Sequence, residues 1–389
     1  MGEQKYEFGL NDYIQLSLWY VVLYGFVSWQ GWLVGVILYV AFLHLAAKVC
    51  KAVLGLEMMS GGDEMFFLDD DRNSLNIIAF HRYDRISDVE NFRKTMVRRA
   101  CKFPRLKSHV RKIFGKFMFS ETTNEEMMNS VNKVMPIIGN IHTEQELADY
   151  MAKEQSYRLP LDGLQWRVYL IPDYSATESV FVYKVHHSLA DGIANILFFN
   201  DMTDEPKLEG YPNLLIRFSF LQDISIKLMM PFYLLWLAFK LVILMKNERN
   251  GFKTPAVTEK LTSLKNYEMI PDICLNDVKK RAAELTTPRM KVTINDVLMT
   301  VLSKTINDYL RKHTDDKETK FVQMACPFSL RPPPAFLGDF TFDNNFAIVN
   351  LNLRLIDSFD GLSQINRDMI ALKKSIEPIG LYYLIKIMM

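Results

Sequence analysis

The segment Val180–Gly192 constrains the fold of this chain more than any other part of the sequence. It begins with β-branched and aromatic residues, which predict a β-strand, and this run ends in two adjacent histidines, His186 and His187. A neutral imidazole at a strand end can take a proton from a hydroxyl or an amine. Gly192 is expected to let the chain turn sharply, and Asp191 can hold that turn by pairing with an arginine or with backbone N–H groups.

The histidine pair has three interpretations when it is judged from the residues alone. It can transfer protons, stabilise the strand end as a structural pair, or supply half of a metal site. The metal site is the least favoured, because no second cluster of His, Cys or carboxylate residues with ligand spacing lies nearby. The four cysteines are scattered and fit a reducing compartment; they are Cys50, Cys101, Cys274 and Cys326. We expect no metal and no bound cofactor.

The His-His-x-x-x-Asp-Gly pattern resembles the coenzyme-A-dependent acyltransferase superfamily, which includes chloramphenicol acetyltransferase, carnitine acyltransferases and condensation domains of peptide synthetases. Further segments, in the same order, are similar to the bifunctional wax ester synthase/diacylglycerol acyltransferase family. These segments are Ser60–Leu68, Phe103–Leu106, Leu159–Asp162 with Trp166, Asn295–Val297, Pro327–Arg331 and Asn344–Ala347. The resemblance runs from about Ser60 to the last residue.

This resemblance implies an α+β fold with two chloramphenicol-acetyltransferase-like lobes and a substrate tunnel between them. The first lobe is expected at 57–205 and the second at 256–389, joined by a hydrophobic linker at 206–255. The family continues well beyond the position of Met389, so we expect the second lobe to be truncated. Residues 1–56 form an N-terminal membrane anchor in this scheme.

The resemblance also implies roles for individual residues. His187 matches the catalytic histidine that removes a proton from the acceptor hydroxyl, and His186 supports the turn or lines the tunnel. Asp191 points away from the substrate into a salt bridge, for which Arg331 is one candidate partner among several. Structural roles are therefore expected for Asp191, Gly192, Asp296 and Arg331.

Asn295 is a further candidate catalytic residue. With Thr293 as the cap it lies in the first turn of a helix, where free N–H groups and the helix dipole favour negative charge. A carboxamide there can donate to a tetrahedral oxyanion or hold the acceptor hydroxyl. The alternative is ordinary chemistry of a helix start, because Asn and Asp are common in such turns.

Apolar residues concentrate in two segments. Tyr13–Val49 is almost continuously apolar and exceeds the roughly 20 residues that a helix needs to cross a bilayer. It predicts one tilted span or a re-entrant hairpin, with a buried core helix as the alternative. Lys48 and Lys51 lie at its end, so the positive-inside rule places the enzyme on the cytosolic side of a membrane, which we expect to be the endoplasmic reticulum. The second segment, Ile224–Met245, is interrupted by lysines and predicts an interfacial helix pair or a crossover helix on the core.

Charge is nearly balanced at +1 over 389 residues, which gives no overall signal for nucleic acid. One local run is one-sided, because Arg93–Lys116 holds ten Lys or Arg residues and no acidic residue. A solvated helix face is the common cause of such a run. A one-sided run also suits anionic lipid headgroups or coenzyme A phosphates, and we expect it to face a membrane surface.

Short signals predict the other elements and an α+β arrangement. Ser87 is expected to open a capping box for a helix that ends near Cys101, and Thr143 does the same for a helix to about Gln155. Helices are also predicted at Asp277–Glu284 and from Thr293 to about Lys312. Strands are predicted at Val168–Ile171, Ser179–His187, Phe321–Cys326 and Phe346–Leu355.

The leading functional prediction is a membrane-bound O-acyltransferase. It moves a fatty acyl group from acyl-coenzyme A to a long-chain alcohol or to diacylglycerol, which gives wax ester or triacylglycerol. The alternative is an inactive family member that acts as a membrane-bound scaffold or complex subunit. A condensation enzyme acting on carrier-protein thioesters is less favoured, because no carrier or adenylation module is attached.

Overall fold

The computed structural model describes residues 31–113, 115–203, 230, 232–237, 239, 250–252, 262–316, 318–331, 334–336 and 338–388. The elements of the first part are α1 (Trp32–Leu54), β1 (Leu56–Met58), α2 (Gly61–Glu64), β2 (Asn76–Asp84), α3 (Val89–Ala100), β3 (Ser108–Ile113), β4 (Lys116–Glu121), α4 (Asn124–Asn129), α5 (Val131–Val134), α6 (Glu144–Gln155), β5 (Trp166–Ile171), β6 (Glu178–His186) and α7 (Gly192–Asp201). Those of the second part are α8 (Leu275–Leu285), α9 (Ile294–His313), β7 (Phe321–Ser329), β8 (Phe346–Arg354), α10 (Leu362–Lys374) and α11 (Glu377–Met388).

The predicted histidine strand is β6, which lies at the centre of an antiparallel sheet of order β2-β6-β5. Every residue of β6 after Glu178 is buried. Phe181 and Tyr183 pack into the main core, whereas Val180 and Val182 pack on the other face, with residues of α6. Because both faces are covered, the strand is an almost unbroken apolar run, and each large buried side chain contributes about 1.5–3 kcal/mol.

Capping signals located most helix starts correctly. The Thr143 side chain accepts from the backbone N–H of Glu146, and α6 spans the predicted residues. One cap was wrong by a single residue: Asp88, rather than Ser87, accepts from the backbone N–H of Asn91 and opens α3. An ionised carboxylate satisfies a free N–H at a helix start at least as well as a serine hydroxyl does.

The second part of the chain is built around the antiparallel pair β7-β8. Residues of β8 pack on one side with Met299 of α9 and with Ile365 and Met369 of α10. Other residues of β8 pack with Leu381 of α11 and with Leu237. The strand β7 continues to Ser329, beyond its predicted end at Cys326.

The structure confirms the α+β arrangement in two lobes. One lobe contains the sheets β2-β6-β5 and β1-β4-β3, and the other contains β7-β8 with α9, α10 and α11. Side-chain hydrogen bonds join the lobes. Arg331 of the second lobe donates to Asp191 of the first, and Asn344 of the second lobe donates to Asp63 of the first. The predicted residue limits of the lobes and the linker stay predictions.

The predicted anchor lies partly outside the described residues, because its first 30 residues are not among them. Its remaining part forms α1, which exposes apolar side chains such as Leu45 and Val53. Of Ile224–Met245, residues 230, 232–237 and 239 are described, and they are helical. Among all described residues, no helix combines the length and the apolar character that crossing a bilayer requires. The predicted spanning anchor therefore has no support in this part of the chain.

Candidate functional site

The histidine motif forms the end of β6 and the turn that leads into α7. The backbone N–H of His187 donates to the carbonyl of Leu75 at 3.0 Å, which extends the pairing with the neighbouring strand. Asp191 then caps α7, because its Oδ1 accepts from the backbone N–H of Ala194 at 2.8 Å. The strand and the helix cap thus fix both ends of the motif.

Asp191 is also the point at which the second lobe contacts the motif. Its Oδ2 accepts from the backbone N–H of Asn345 at 2.8 Å and from the Arg331 guanidinium at 3.2 Å. Both side chains are buried, and Arg331 also donates to Asp343 Oδ1 at 2.7 Å. Arg331 therefore occupies the place of the arginine partner. The Asp191 carboxylate therefore faces Arg331 and the backbone of Asn345 rather than the ring of His187.

Gly192 does not make the expected sharp turn. It is the first residue of α7, it is not among the described glycines with positive φ, and a Cβ atom built on it meets nothing within 4 Å. The change of direction is achieved by Asp191, which has extended backbone angles as the N-cap. The turn expected at Gly192 is therefore made at Asp191.

The half-buried His187 ring packs against two phenylalanines, one from each lobe, and these two rings also pack against each other at 6.4 Å between centroids. It stacks on Phe66 with 4.0 Å between ring centroids and an interplanar angle of 12°, and the Phe346 ring is 5.5 Å away. Burial lowers the pKa of His187 below the usual value for histidine. The residue's own backbone, the Asp191 charge and the Asn344 side chain raise the pKa, but they do not outweigh burial. The ring is therefore uncharged at neutral pH.

His186 is fixed by contacts within the first lobe. Its Nδ1 accepts from the backbone N–H of Ser188 at 3.3 Å, and the Ser188 hydroxyl is 2.8 Å away. The ring stacks on Phe67, and Nε2 is 3.8 Å from Asp69, which pairs with Arg158. Burial raises the pKa of Asp69, but His186 and Arg158 together hold it below its usual value. These contacts tie His186 to the turn and to the segment that follows Phe67.

Three residues of the site were not assigned roles from the sequence, although their segments carried the resemblance. The Asp63 carboxylate is 1% exposed and forms a two-pronged pair with Arg105 at 2.9 and 3.1 Å. Arg105 also donates to the carbonyls of Ser188 and Leu189, within the motif. Asn344 bonds to both Asp63 and the carbonyl of His187. The available signal was a polar residue inside each of these segments, next to glycine for Asp63 and next to proline for Arg105.

The structure places Asn295 and Asp296 in the first turn of α9, as predicted. Asp296 completes a capping box with Thr293 and accepts from Asn366 Nδ2 at 3.1 Å. Asn295 is exposed. No contact among the described residues joins Asn295 to the histidine motif, whereas His186, His187, Asp191 and Arg331 lie together.

The basic run does not form one solvated face. Arg93 is 3% exposed and donates to the carbonyl of Met135, and Arg105 belongs to the motif. Further members bond to Asp201, Glu121 and Glu64; they are Arg99, Lys107 and Lys116. Exposed members are Lys94, Arg98, Lys102, Arg111 and Lys112. About half of the run therefore serves internal contacts, which corrects the expectation that the whole run faces a membrane.

Two cavities lie where the lobes meet. The smaller has room for about 20 Å³, and Met65, Asn344 and Phe346 are among its lining residues. The larger measures about 510 Å³, and Lys102, Arg105 and Asp343 are among its lining residues. Residues 340–343 line the larger cavity and residues 344, 346 and 348 the smaller one, so the same second-lobe segment borders both. No cluster of three or more potential metal ligands occurs among the described residues.

No family model matches this sequence, and no curated protein matches it. Solved structures do share its fold. The first condensation domain of the calcium-dependent antibiotic synthetase is 12% identical with a TM-score of 0.53, and the match covers 82% of this chain and 74% of that one. Trichothecene 15-O-acetyltransferase from Fusarium sporotrichioides is 13% identical with a TM-score of 0.52, and the match covers 85% of this chain and 74% of that one. These similarities show the two-lobed α+β fold.

The narrower family stays a prediction. The wax ester synthase/diacylglycerol acyltransferase from Marinobacter aquaeolei VT8 is 14% identical with a TM-score of 0.48, over 82% of this chain and 72% of that one. A similarity at that level carries no argument for the branch. The chain spans 62% and 65% of the length of two other matched chains.

Proposed function

We propose that this protein is an acyltransferase in which His187 is the general base. The observation that carries the proposal is the state of this imidazole, which is half-buried, packs against Phe66 and Phe346 where the lobes meet and is uncharged at neutral pH. An uncharged ring in a poorly solvated site can accept a proton from a substrate hydroxyl. The fold that the chain shares with a condensation domain and an acetyltransferase supports the same reaction class.

The proposed reaction transfers an acyl group from a thioester to an alcohol. His187 takes the proton as the hydroxyl oxygen attacks the thioester carbonyl carbon, and a tetrahedral oxyanion forms. The C–S bond then breaks, and the imidazolium returns the proton to the sulfur. The products are an ester and a free thiol, and no covalent enzyme intermediate forms. Asn295 receives no step, because no contact connects it with His187.

The proposed substrates are a fatty acyl-coenzyme A and a long-chain alcohol or diacylglycerol. Apolar side chains suit lipid substrates here, because Phe66 and Phe346 pack on His187 and Phe346 also lines the small cavity with Met65 and Ile348. Exposed apolar residues on α1, such as Leu45 and Val53, and on residues 232–237, such as Phe232, support attachment to a bilayer in which these substrates dissolve. We propose the endoplasmic reticulum membrane, with the lobes in the cytosol.

The test measures the coenzyme A that purified protein in detergent or vesicles releases from palmitoyl-coenzyme A, with hexadecanol or dioleoylglycerol as the acceptor. His187→Ala is expected to lower the rate about 10²- to 10⁴-fold, the usual contribution of a general base. His142→Ala removes an exposed histidine of the same lobe and is expected to keep the wild-type rate. Equal rates from wild type and His187→Ala would reject the mechanism, and a wild type that releases no coenzyme A above background would favour the inactive scaffold.

A further inference from the structure

The amide of Asn344 is held in one orientation by both lobes. Its Nδ2 donates to Asp63 Oδ1 at 2.9 Å and to the His187 carbonyl at 2.8 Å. Both acceptors are fixed. The Arg105 guanidinium donates to both carboxylate oxygens of Asp63, and the backbone hydrogen bond from His187 to Leu75 holds the chain at His187. An amide nitrogen has only two hydrogens to donate. With both committed, the position of Oδ1 on the same amide is determined as well.

Two buried atoms at this place lack a hydrogen-bond partner of good geometry. One is Asn344 Oδ1, and the other is His187 Nδ1. A buried polar atom without a partner costs about 1–3 kcal/mol, so two complementary orphans on neighbouring side chains indicate a contact that tightens in the working state. The effect on the pKa agrees, because the Asn344 side chain raises the pKa of His187, as an oxygen facing an imidazole N–H does.

The structure assigns to Asn344 the role of a positioning residue that keeps the proton of His187 on Nδ1 and leaves Nε2 free to act as the base. This inference rests on the proposed function of His187. An Oδ1 atom is an acceptor, so it stabilises the tautomer that presents Nδ1–H and the imidazolium that forms during the reaction.

The carbonyl of His187 itself is the competing explanation. The residue's own backbone raises the pKa of the ring more than Asn344 does, so it can favour the same tautomer. The Nδ2 atom of Asn344 bonds to that same carbonyl, however, and restricts how it can move. Asn344 thus supplies one acceptor next to Nδ1, its own Oδ1, and restrains the other, the His187 carbonyl. Because Asn344 belongs to the second lobe, the tautomer of a first-lobe base depends on the contact between the lobes.

The tautomer can be read directly, whether or not the protein is active. The full chain is labelled with ¹⁵N-histidine, and the ring-nitrogen shifts of His187 are identified by their loss in His187→Gln. Wild type is expected to show the Nδ1–H form as the major species. In Asn344→Ala the ratio of the Nδ1–H to the Nε2–H form is expected to fall about fivefold, which corresponds to one lost hydrogen bond. An unchanged ratio would mean that the backbone carbonyl suffices, and it would overturn the inference.

A pH profile of kcat/KM adds a second readout and a variant of similar shape. In Asn344→Leu the imidazolium loses an acceptor worth about 1 kcal/mol, so the acid limb is expected to move down by about 0.7 pH unit. Asn345→Ala is the matched control, since the described contacts of Asn345 use only its backbone N–H and carbonyl. An unmoved acid limb in Asn344→Leu would also contradict the inference. A wild type without activity but with the predicted tautomer shift would refute the proposed function alone.

Discussion

Replacing Arg331 with methionine tests the contact by which the second lobe holds the histidine motif. The Arg331 and Asp191 side chains are 4% and 6% exposed, so the variant leaves a buried carboxylate without its cation. Such a loss costs about 3–5 kcal/mol. Asp191 keeps two backbone N–H donors, from Ala194 and Asn345. Asp343 also loses Arg331 as a partner, but its side chain is 34% exposed and can be solvated by water. We therefore expect the low end of the range, about 3 kcal/mol of lost unfolding free energy.

Denaturant unfolding followed by tryptophan fluorescence measures this loss, and a double-mutant cycle isolates its cause. Asp191→Asn removes the buried charge. In that background Arg331→Met is expected to lower the free energy of unfolding by at least 1 kcal/mol less than it does in wild type. Arg281→Met is the control, because Arg281 forms an exposed pair with Glu284 and is expected to cost no more than about 0.5 kcal/mol. A loss below 1 kcal/mol in Arg331→Met, or additive effects in the cycle, would refute the reasoning.

Three further predictions concern buried groups. Burial lowers the pKa of Lys184 to about 8, so between pH 8 and its unfolded pKa of 10.5 the unfolded chain holds a proton that the folded chain has lost. The urea midpoint of unfolding is therefore expected to rise with pH across this interval in wild type but not in Lys184→Met. The same pH dependence in both proteins would contradict this prediction. Because partial burial lowers the pKa of His187, the acid limb of kcat/KM is expected below the pH 6.5 of an ordinary histidine, and a limb above pH 6.5 would refute the neutral base. In Phe66→Ala water reaches the ring, so that limb is expected to move toward pH 6.5; Phe252→Ala, which removes a stacked ring that contacts Tyr309, is expected to leave it in place.

Local signals in the sequence predicted local structure well. Thr143 and Thr293 opened helices at the predicted residues, because a capping box needs only four consecutive residues and no tertiary contact. The central strand was also found, because a strand buried on both faces has almost no polar residue to interrupt the pattern. Ser87 was chosen over Asp88 because two capping residues stand side by side, and only the backbone geometry distinguishes them.

Contacts between distant parts of the chain could not be predicted in the same way. Arg331 is 140 residues from Asp191, and Asn344 is 281 residues from Asp63, so their pairing depends on how the lobes meet. The basic run shows the same limit. A count of charges predicted a one-sided surface, but Arg93 and Arg105 turn inward to carbonyls and to a carboxylate that other segments supply.

The most direct test of the account measures labelled ester formed from ¹⁴C-palmitoyl-coenzyme A and hexadecanol by wild type and by His187→Ala, with and without added imidazole. We predict that wild type forms ester, that His187→Ala loses at least about 100-fold of this rate, and that imidazole restores part of it by occupying the space that the His187 ring vacates beside Phe66 and Phe346. Ester formation by His187→Ala at the wild-type rate would contradict the claim that a half-buried, uncharged imidazole at this position is the base.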